Sequence, residues 1–320
     1  MDYGHRFNHL NLNHMKSTKN LKISVLISAY NEEHSIASVL TGVLSQQVTS
    51  GVLTEILVYC DGCTDNTVKN AKSVQDDRIK IYINTHRQGK TYCLQQMFKK
   101  MCGDVACFFD ADIEFSGPTV IAYLLEKLTE SSSVALVGGN SRPKPGTSFF
   151  ERSVYTTFLV FDESRHVYLG GNNIFGCTGS CLAATRSFLN TVTFPKSLVN
   201  EDAYMYFSCV SSGKLFRYAP DAVIYYFLPK NLHDYLRQVF RSEPRAVYSE
   251  LEKHFPQYVK EHLIRNTWTY AKSVLGVFLR YPFEVAYISF INFLCLPFLS
   301  LLITRYKLTW FTATSSHRKI

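Results

Sequence analysis

The sequence predicts an α/β protein: a mainly parallel sheet flanked by helices, followed by a C-terminal membrane-associated helical segment. Three observations point there. From Leu21 onward, apolar runs of strand length alternate with amphipathic runs of helix length. The polar residues that close those apolar runs fall where an open α/β sheet puts its ligand crevice, outside the carboxyl ends of the strands. Beyond Ser242 the alternation stops, and polar connecting stretches lead into a long apolar run. With 320 residues, 46% of them hydrophobic and 19% charged, the chain can bury one large α/β core and carry an appendage.

Residues 1–20, with His5, His9 and His14 among Asn and Leu, contain no apolar h-region and read as a flexible leader. Ile23 to Ala29 is a buried strand, Glu33 to Gln47 an amphipathic helix and Glu55 to Tyr59 a second strand. Asp65 or Asn66 caps a helix through Val74, Ile79 to Ile83 is a third strand, Thr91 to Met101 a helix and Val105 to Phe109 a fourth strand. Helices of this length between strands imply parallel pairing with right-handed crossovers, which organises residues 21–117 as one half of a domain running to 243. After Pro118 the pattern loosens: a helix to about Glu130, a strand at Ala135 to Gly138, and a Pro/Gly break at Arg142 to Gly146. In this second, mixed half, residues 118–243, Phe175 to Ser180 is a loop of small residues and Asn200-Glu201-Asp202 opens a helix through Cys209. Residues 244–320 form the C-terminal region. Pro244 to His262 reads as connecting helices, and Val285 to Ile303 is apolar apart from Ser289, Asn292, Pro297 and Ser300.

The chemistry concentrates at the strand ends. Cys107-Phe108-Phe109-Asp110-Ala111-Asp112 is an apolar strand that stops in two carboxylates one residue apart, with Glu114 behind them. Oxygen donors at i and i+2 suit a hard divalent cation, Mg²⁺ or Mn²⁺, that a phosphate-bearing substrate then shares. Tyr30-Asn31-Glu32, Asp61-Gly62 and Arg87-Gln88-Gly89-Lys90 end the other three strands, so four successive strand ends converge on one edge. Gly89-Lys90-Thr91 imitates the end of a P-loop, but Asn84 stands where its first glycine belongs and the motif fails. Lys90 is then either a phosphate contact or a solvated lysine at a helix start. Gly179 and its neighbours either let backbone amides approach a sugar or phosphate or mark a tight turn. Asn200, Glu201 and Asp202 suit a helix N-terminus as caps; a carboxylate there that also faces the crevice can take a proton from an attacking hydroxyl.

The net charge of +8 is scattered among aromatic residues without a block of like charges, which favours anionic phosphates or a membrane surface as partners and not nucleic acid. Nine cysteines, an odd number, fit free thiols in a reducing compartment. Cys60-Asp61-Gly62-Cys63 has redox or zinc spacing, but no second pair follows it and an Asp-Gly turn fills its centre.

Five ordered motifs between about Ile23 and Ser242 resemble the inverting family-2 glycosyltransferases of GT-A fold. Ser24 to Glu33 is similar to the family's opening strand and donor loop, and Asp61-Gly62-Cys63-Thr64-Asp65 to its D-G-S-T-D segment with cysteine for serine. Asp110-Ala111-Asp112 resembles its metal motif, Asn200-Glu201-Asp202 its E-D base motif, and Gln238 to Ser242 a degenerate Q-x-x-R-W. The resemblance implies a Rossmann-like sheet whose first half binds a nucleotide sugar, most simply UDP-linked, and whose second half binds the acceptor. It implies that Ala29 and Tyr30 lie against the uracil, that Glu32 and Asp61 bond uridine, and that Asp110, Ala111 and Asp112 serve ribose, metal and diphosphate. Lys90 and Arg241 join the phosphate contacts, and Asp202 is the general base. Thr178, Gly179, Glu201 and Gln238 fall to the acceptor. One base without a protein nucleophile implies inversion at the anomeric carbon.

Ser242 replaces the tryptophan of the family's processive synthases, which favours transfer of one or a few sugars. The Val285 to Ile303 run is long enough to span a bilayer. A single span, however, would export the basic tail Arg305, Lys307, Arg318 and Lys319 from a protein whose catalytic half faces cytosolic donors, against the positive-inside tendency. A re-entrant or in-plane helix satisfies both constraints, and membrane association with the catalytic domain facing the cytoplasm is the expectation. Two classes of function follow: a metal-dependent glycosyltransferase with a saccharide or lipid-linked acceptor, polyprenyl phosphate among them, or a non-catalytic sugar-nucleotide-binding subunit of a membrane glycan assembly. An intact Asp110, Asp112 and Asp202 favours the enzyme, because binding alone has no use for a base.

Overall fold

The computed structural model describes residues 20–303, apart from 197, 199, 242, 243 and 263–266. The expected βα alternation is present from its first strand. β1 (Leu21–Ala29), β2 (Gly51–Asp61), β3 (Ile79–Asn84) and β4 (Val105–Asp110) are connected by α1 (Ile36–Leu44), α2 (Thr67–Ser73) and α3 (Lys90–Lys100). β1 lies between β2 and β4, with β3 outside β2, and all three pairings are parallel. Strands buried on both faces read as continuous apolar runs, and the alternation of side chains then feeds two cores. Cys107 and Phe109 of β4 pack with α1 residues Ile36, Val39 and Leu40, whereas Ala106 and Phe108 pack with Leu94, Met97 and Phe98 of α3.

The second half is mixed. β5 (Glu114–Phe115), α4 (Val120–Leu128), β6 (Val134–Pro143), α5 (Phe149–Val167), β7 (Cys181–Thr185), α6 (Arg186–Leu189), α7 (Glu201–Ser211) and β8 (Leu215–Tyr226) extend the sheet to the order β3-β2-β1-β4-β7-β6-β8-β5. β7 runs antiparallel to both β4 and β6, while β6 and β8 pair in parallel. Six of the eight strands run in one direction and only β5 and β7 oppose them, so the sheet is mainly parallel as expected, with its antiparallel pairings confined to the mixed second half. The break expected at Arg142 lies inside a strand: β6 continues to Pro143 because β8 pairs with it through Tyr226.

α8 (Leu232–Arg241), α9 (Pro244–His254), α10 (Pro256–His262), α11 (Thr267–Arg280) and α12 (Pro282–Ile303) follow. α12 docks on the body of the protein through α5 and α8. Ile288 packs with Val154 and Tyr235, the Tyr235 hydroxyl donates to Asn292 Oδ1 at 2.8 Å, and Arg152 on α5 pairs with Glu284. Asn292, which dilutes the apolar run in sequence, thus has a partner in the protein. Among the described residues no helix is long and apolar enough to cross a membrane. The leader lies outside the described residues, and the basic tail does too.

Candidate functional site

The first half of the site is held together by backbone donors. Asp61, at the end of β2 and 2% exposed, accepts from Asn84 Nδ2 at 2.7 Å, from Gln88 N at 2.9 Å and from Gly89 N at 2.7 Å. Its carboxylate fixes the loop that leads into α3. Gly62 follows with φ +69°, and a Cβ there would meet the Arg87 nitrogen at 2.5 Å, so only glycine lets that loop close on β2. The loop in turn sets the Arg87 guanidinium 3.8 Å from the centre of the Tyr30 ring. Ala29, 1% exposed, ends β1 just before Tyr30. Asn31 and Thr64 bond each other, and Glu32 N donates to Thr67 Oγ1 at 2.6 Å, joining the β1 and β2 ends. Glu32 is 6% exposed, with its Oε2 accepting from Ser35 at 2.9 Å.

Lys90, the first residue of α3, joins the two halves. Its ammonium lies 2.6 Å from Asp110 Oδ1 and 2.7 Å from Glu201 Oε1, and donates to the Gly179 carbonyl at 3.3 Å. It is not a solvated helix-start lysine. Burial disfavours its charge, but the carboxylates of Asp110 and Glu201 outweigh this and raise its pKa. Beneath it, apolar residues of β1, β4 and β7 with Leu94 and Met205 line a small cavity.

Asp202 meets this cluster from the other side. α7 begins at Glu201, and the Asn200 side chain accepts from Ala203 N at 3.3 Å, so Asn200 caps this helix as the cluster led one to expect. Asp202 Oδ2 accepts from Gly179 N at 2.8 Å and Oδ1 from Ala203 N at 2.7 Å. Burial and the neighbouring Glu201 charge raise its pKa to about 6, against the lowering pull of the Gly179 N–H and Lys90. A side chain on Gly179 would stand 2.9 Å from Glu201 Oε1 and 3.1 Å from Lys90 Nζ. Thr178 shares a hydrogen bond with Ser141 at 2.9 Å, and Ser141 another with Ser180 at 2.7 Å, which pins both flanks of Gly179 to β6.

Asp110, Lys90, Gly179, Glu201 and Asp202 thus form one connected group drawn from four separate chain segments. Asp112 lies two residues past the Asp110 strand end and is half-buried, and Ala111 between them is 3% exposed. Hard oxygen donors at this spacing fit Mg²⁺ or Mn²⁺. No cluster of three or more His, Cys, Asp or Glu side chains fit for a metal occurs among the described residues. Gln238 lies on α8 with its Oε1 buried and without a hydrogen-bond partner, and no hydrogen bond or ion pair among the described residues ties it to the cluster. Arg241 ends the same helix; its side chain and Ser242 lie outside the described residues. The nine cysteines are free thiols, and the Cys60-Cys63 pair belongs to the turn that positions Asp61.

Sequence reasoning placed Arg87 at a strand end but gave no signal that it stacks over Tyr30, and it missed Ser141. Ser141, which orders the Gly179 loop, lies one residue before the segment expected to break.

The architecture is that of GT-A enzymes. The chain belongs to glycosyl transferase family 2, whose family model matches residues 24–193, more than half of it. It is 22% identical over 231 residues to an N-acetylglucosaminyltransferase of Neorhizobium galegae, covering 68% of this chain and 53% of that protein, so it spans about half that relative's length. It is 24% identical to a UDP-Glc:α-D-GlcNAc-diphosphoundecaprenol β-1,3-glucosyltransferase of Escherichia coli, over 60% of this chain and 71% of the other. Among solved structures, a mannosyltransferase of Pyrobaculum calidifontis in complex with GDP-Man and Mn²⁺ is similar with a TM-score of 0.57 and 19% identity, covering 90% of this chain and 84% of that one.

Proposed function

We propose that the protein is a metal-dependent inverting glycosyltransferase that moves a sugar from a nucleotide sugar, UDP-linked as in the E. coli relative, to a saccharide or lipid-linked acceptor. The observation that carries this reading is Asp202: a carboxylate with its pKa raised to about 6, held by Gly179 N–H across the Lys90 bridge from Asp110. A base poised near neutrality is what removal of a hydroxyl proton requires. The acceptor hydroxyl gives its proton to Asp202 as its oxygen attacks the anomeric carbon, and the bond to the diphosphate oxygen breaks on the opposite face. A single displacement inverts the centre. Tyr30, Glu32 and Asp61 hold the nucleoside, and Asp110 and Asp112 would hold Mg²⁺ or Mn²⁺, which when bound neutralises charge on the departing diphosphate. Lys90 adds a fixed positive charge beside Asp110, and Arg241 is assigned to the same diphosphate by motif alone. Thr178, Gly179 and Glu201 shape the acceptor side.

Turnover of labelled UDP-sugars in Mn²⁺ tests the activity, with proton NMR of the product reading the anomeric configuration. Transfer with inversion supports the reading; a retained configuration refutes the single displacement, and donor binding without turnover favours the non-catalytic subunit.

Association with a cytoplasmic membrane face belongs to the same proposal. α11 and α12 turn Leu279, Phe283, Phe290 and Phe293 to the outside, each more than half exposed, although neighbours on the same helices are buried against α5. A patch of this kind fits an interfacial helix pair lying in the headgroup region. Flotation with anionic vesicles is expected to carry the protein, and L279D/F293D to abolish it.

A further inference from the structure

Behind the Gly179 loop lies a partly buried group of charges that the reaction above does not use. Arg142 stands near the end of β6, one residue beyond the Ser141 that bonds Thr178 and Ser180. Arg165 stands on α5 and is 2% exposed. Their common counter-ion is Asp162: Arg165 bonds it directly, and Arg142 and His166 both act on it electrostatically. Glu163, the next acid on α5, is committed to Arg280 of α11. Two guanidinium charges therefore face one carboxylate. The count of donors agrees with the count of charges. Arg142 Nε, Arg165 Nε and Arg165 Nη1 are buried with no hydrogen-bond partner, and the hydroxyl of Tyr218, whose ring lies 5.7 Å from the Arg165 guanidinium, has none either.

Buried arginine donors left unmet are costly, and such groups are ordinarily satisfied by an anion or by water. The planar fork of arginine matches phosphate oxygens two at a time. We infer that Arg142 and Arg165 form a phosphoryl-binding subsite that anchors a phosphate or diphosphate group of the acceptor, while a hydroxyl elsewhere on the same acceptor reaches Asp202. This rests on the glycosyltransferase reading and narrows it. Arg142 is separated from Asp202 by Ser141 and the Gly179 loop, so the phosphoryl group is a handle and not the attacking nucleophile. A saccharide carrying a phosphate or a diphosphate-linked lipid fits this arrangement, and a neutral saccharide does not use it.

Calorimetric titration of the full chain with inorganic phosphate in metal-free buffer tests the subsite. Saturable binding is expected, weakened about tenfold or more in R142Q, less in R142K, and unchanged in R78Q, which removes an arginine before β3 at the far edge of the sheet. No saturable binding to the parent protein overturns the proposal without recourse to any variant. Equal phosphate affinity in R142Q also overturns it and identifies the bound phosphate as an adventitious ion only or a donor-site ligand. Titration of the same parent protein with UDP and Mn²⁺ separates the two readings: UDP binding without phosphate binding removes the subsite alone, and loss of UDP binding removes the donor assignment. With the subsite upheld, a rise in KM in R142Q for a soluble sugar phosphate or for a prenyl-diphosphate-linked sugar tells which source of phosphate it serves.

Discussion

The two halves of the sheet solve different problems. Around β1 to β4 the polar groups are mutually satisfied: Asp61 is bound by a side-chain amide and two backbone N–H groups, and Glu32 and Asn31 are tied to the β2 end. Around β6 to β8 the balance differs. Asp202 keeps a raised pKa, and Arg142 and Arg165 keep unmet donors. A nucleotide site gains from being built before its ligand arrives, because preorganisation spares ordering costs on binding. An acceptor site must hold a group that is still able to take a proton.

Variants that strike one half and spare the other sharpen this contrast. The largest effect is expected from D110N/D112N, which should cut transfer by roughly 10³-fold or more, consistent with several kcal/mol of charge stabilisation. It should also erase the Mn²⁺-dependent part of UDP binding, which titration with and without the metal measures. G179A comes next. Its methyl group enters the space between Glu201 and Lys90, and a displacement of about 1 Å at such a point costs about 10²-fold in kcat; steady-state kinetics should show that loss with UDP affinity intact. D61N should act on stability more than on chemistry. The asparagine amide cannot accept from every donor that Asp61 serves, and urea unfolding should show a loss of about 1–3 kcal/mol. The smallest change is expected from E201Q in the pH profile. Transfer by the parent protein should fall as pH drops through about 6, where Asp202 takes up its proton, and removing the Glu201 charge should move that limb to lower pH. The stability counterpart has the opposite sign to a salt-bridged acid. The folded state binds this proton more tightly than the unfolded chain, whose value is near 3.8, so acidification from about 6 toward 4 adds stability through this group.

The same contrast governs what was legible in the sequence. β1, β3 and β4 were readable to within two residues at either end, because parallel strands buried on both faces are apolar throughout, and the polar ends of β1 and β4 named Tyr30, Glu32, Asp110 and Asp112, as the end of β2 named Asp61. β2 reaches four residues further back than expected, through Gly51 and an exposed Val52 that carry no strand signal. β7 and β8 were not readable. Cys181-Leu182-Ala183-Ala184-Thr185 continues a run of small residues and gains its strand character only from pairing between β4 and β6. β8 contains Pro220 and Asp221, ordinary strand breakers, and accommodates them where its register against β6 shifts between Gly139 and Asn140. α5 had a usable signal that went unread: Ser148 and Glu151 form a reciprocal capping box at its start. Asp202 and Gly179 were named by motif, but their meeting with Lys90 is a tertiary fact. Arg165 was out of reach, since nothing in the sequence tells that α5 carries it under β6 and β8.

The central claim, that Asp202 is the proton acceptor across from a donor held at Asp110, is tested most directly by single-turnover transfer from labelled UDP-sugar in D202N. Loss of transfer by about 10²–10⁴-fold, with UDP affinity in Mn²⁺ equal to that of the parent protein, is the predicted result. Transfer at a rate near the parent's would contradict it and move the base elsewhere.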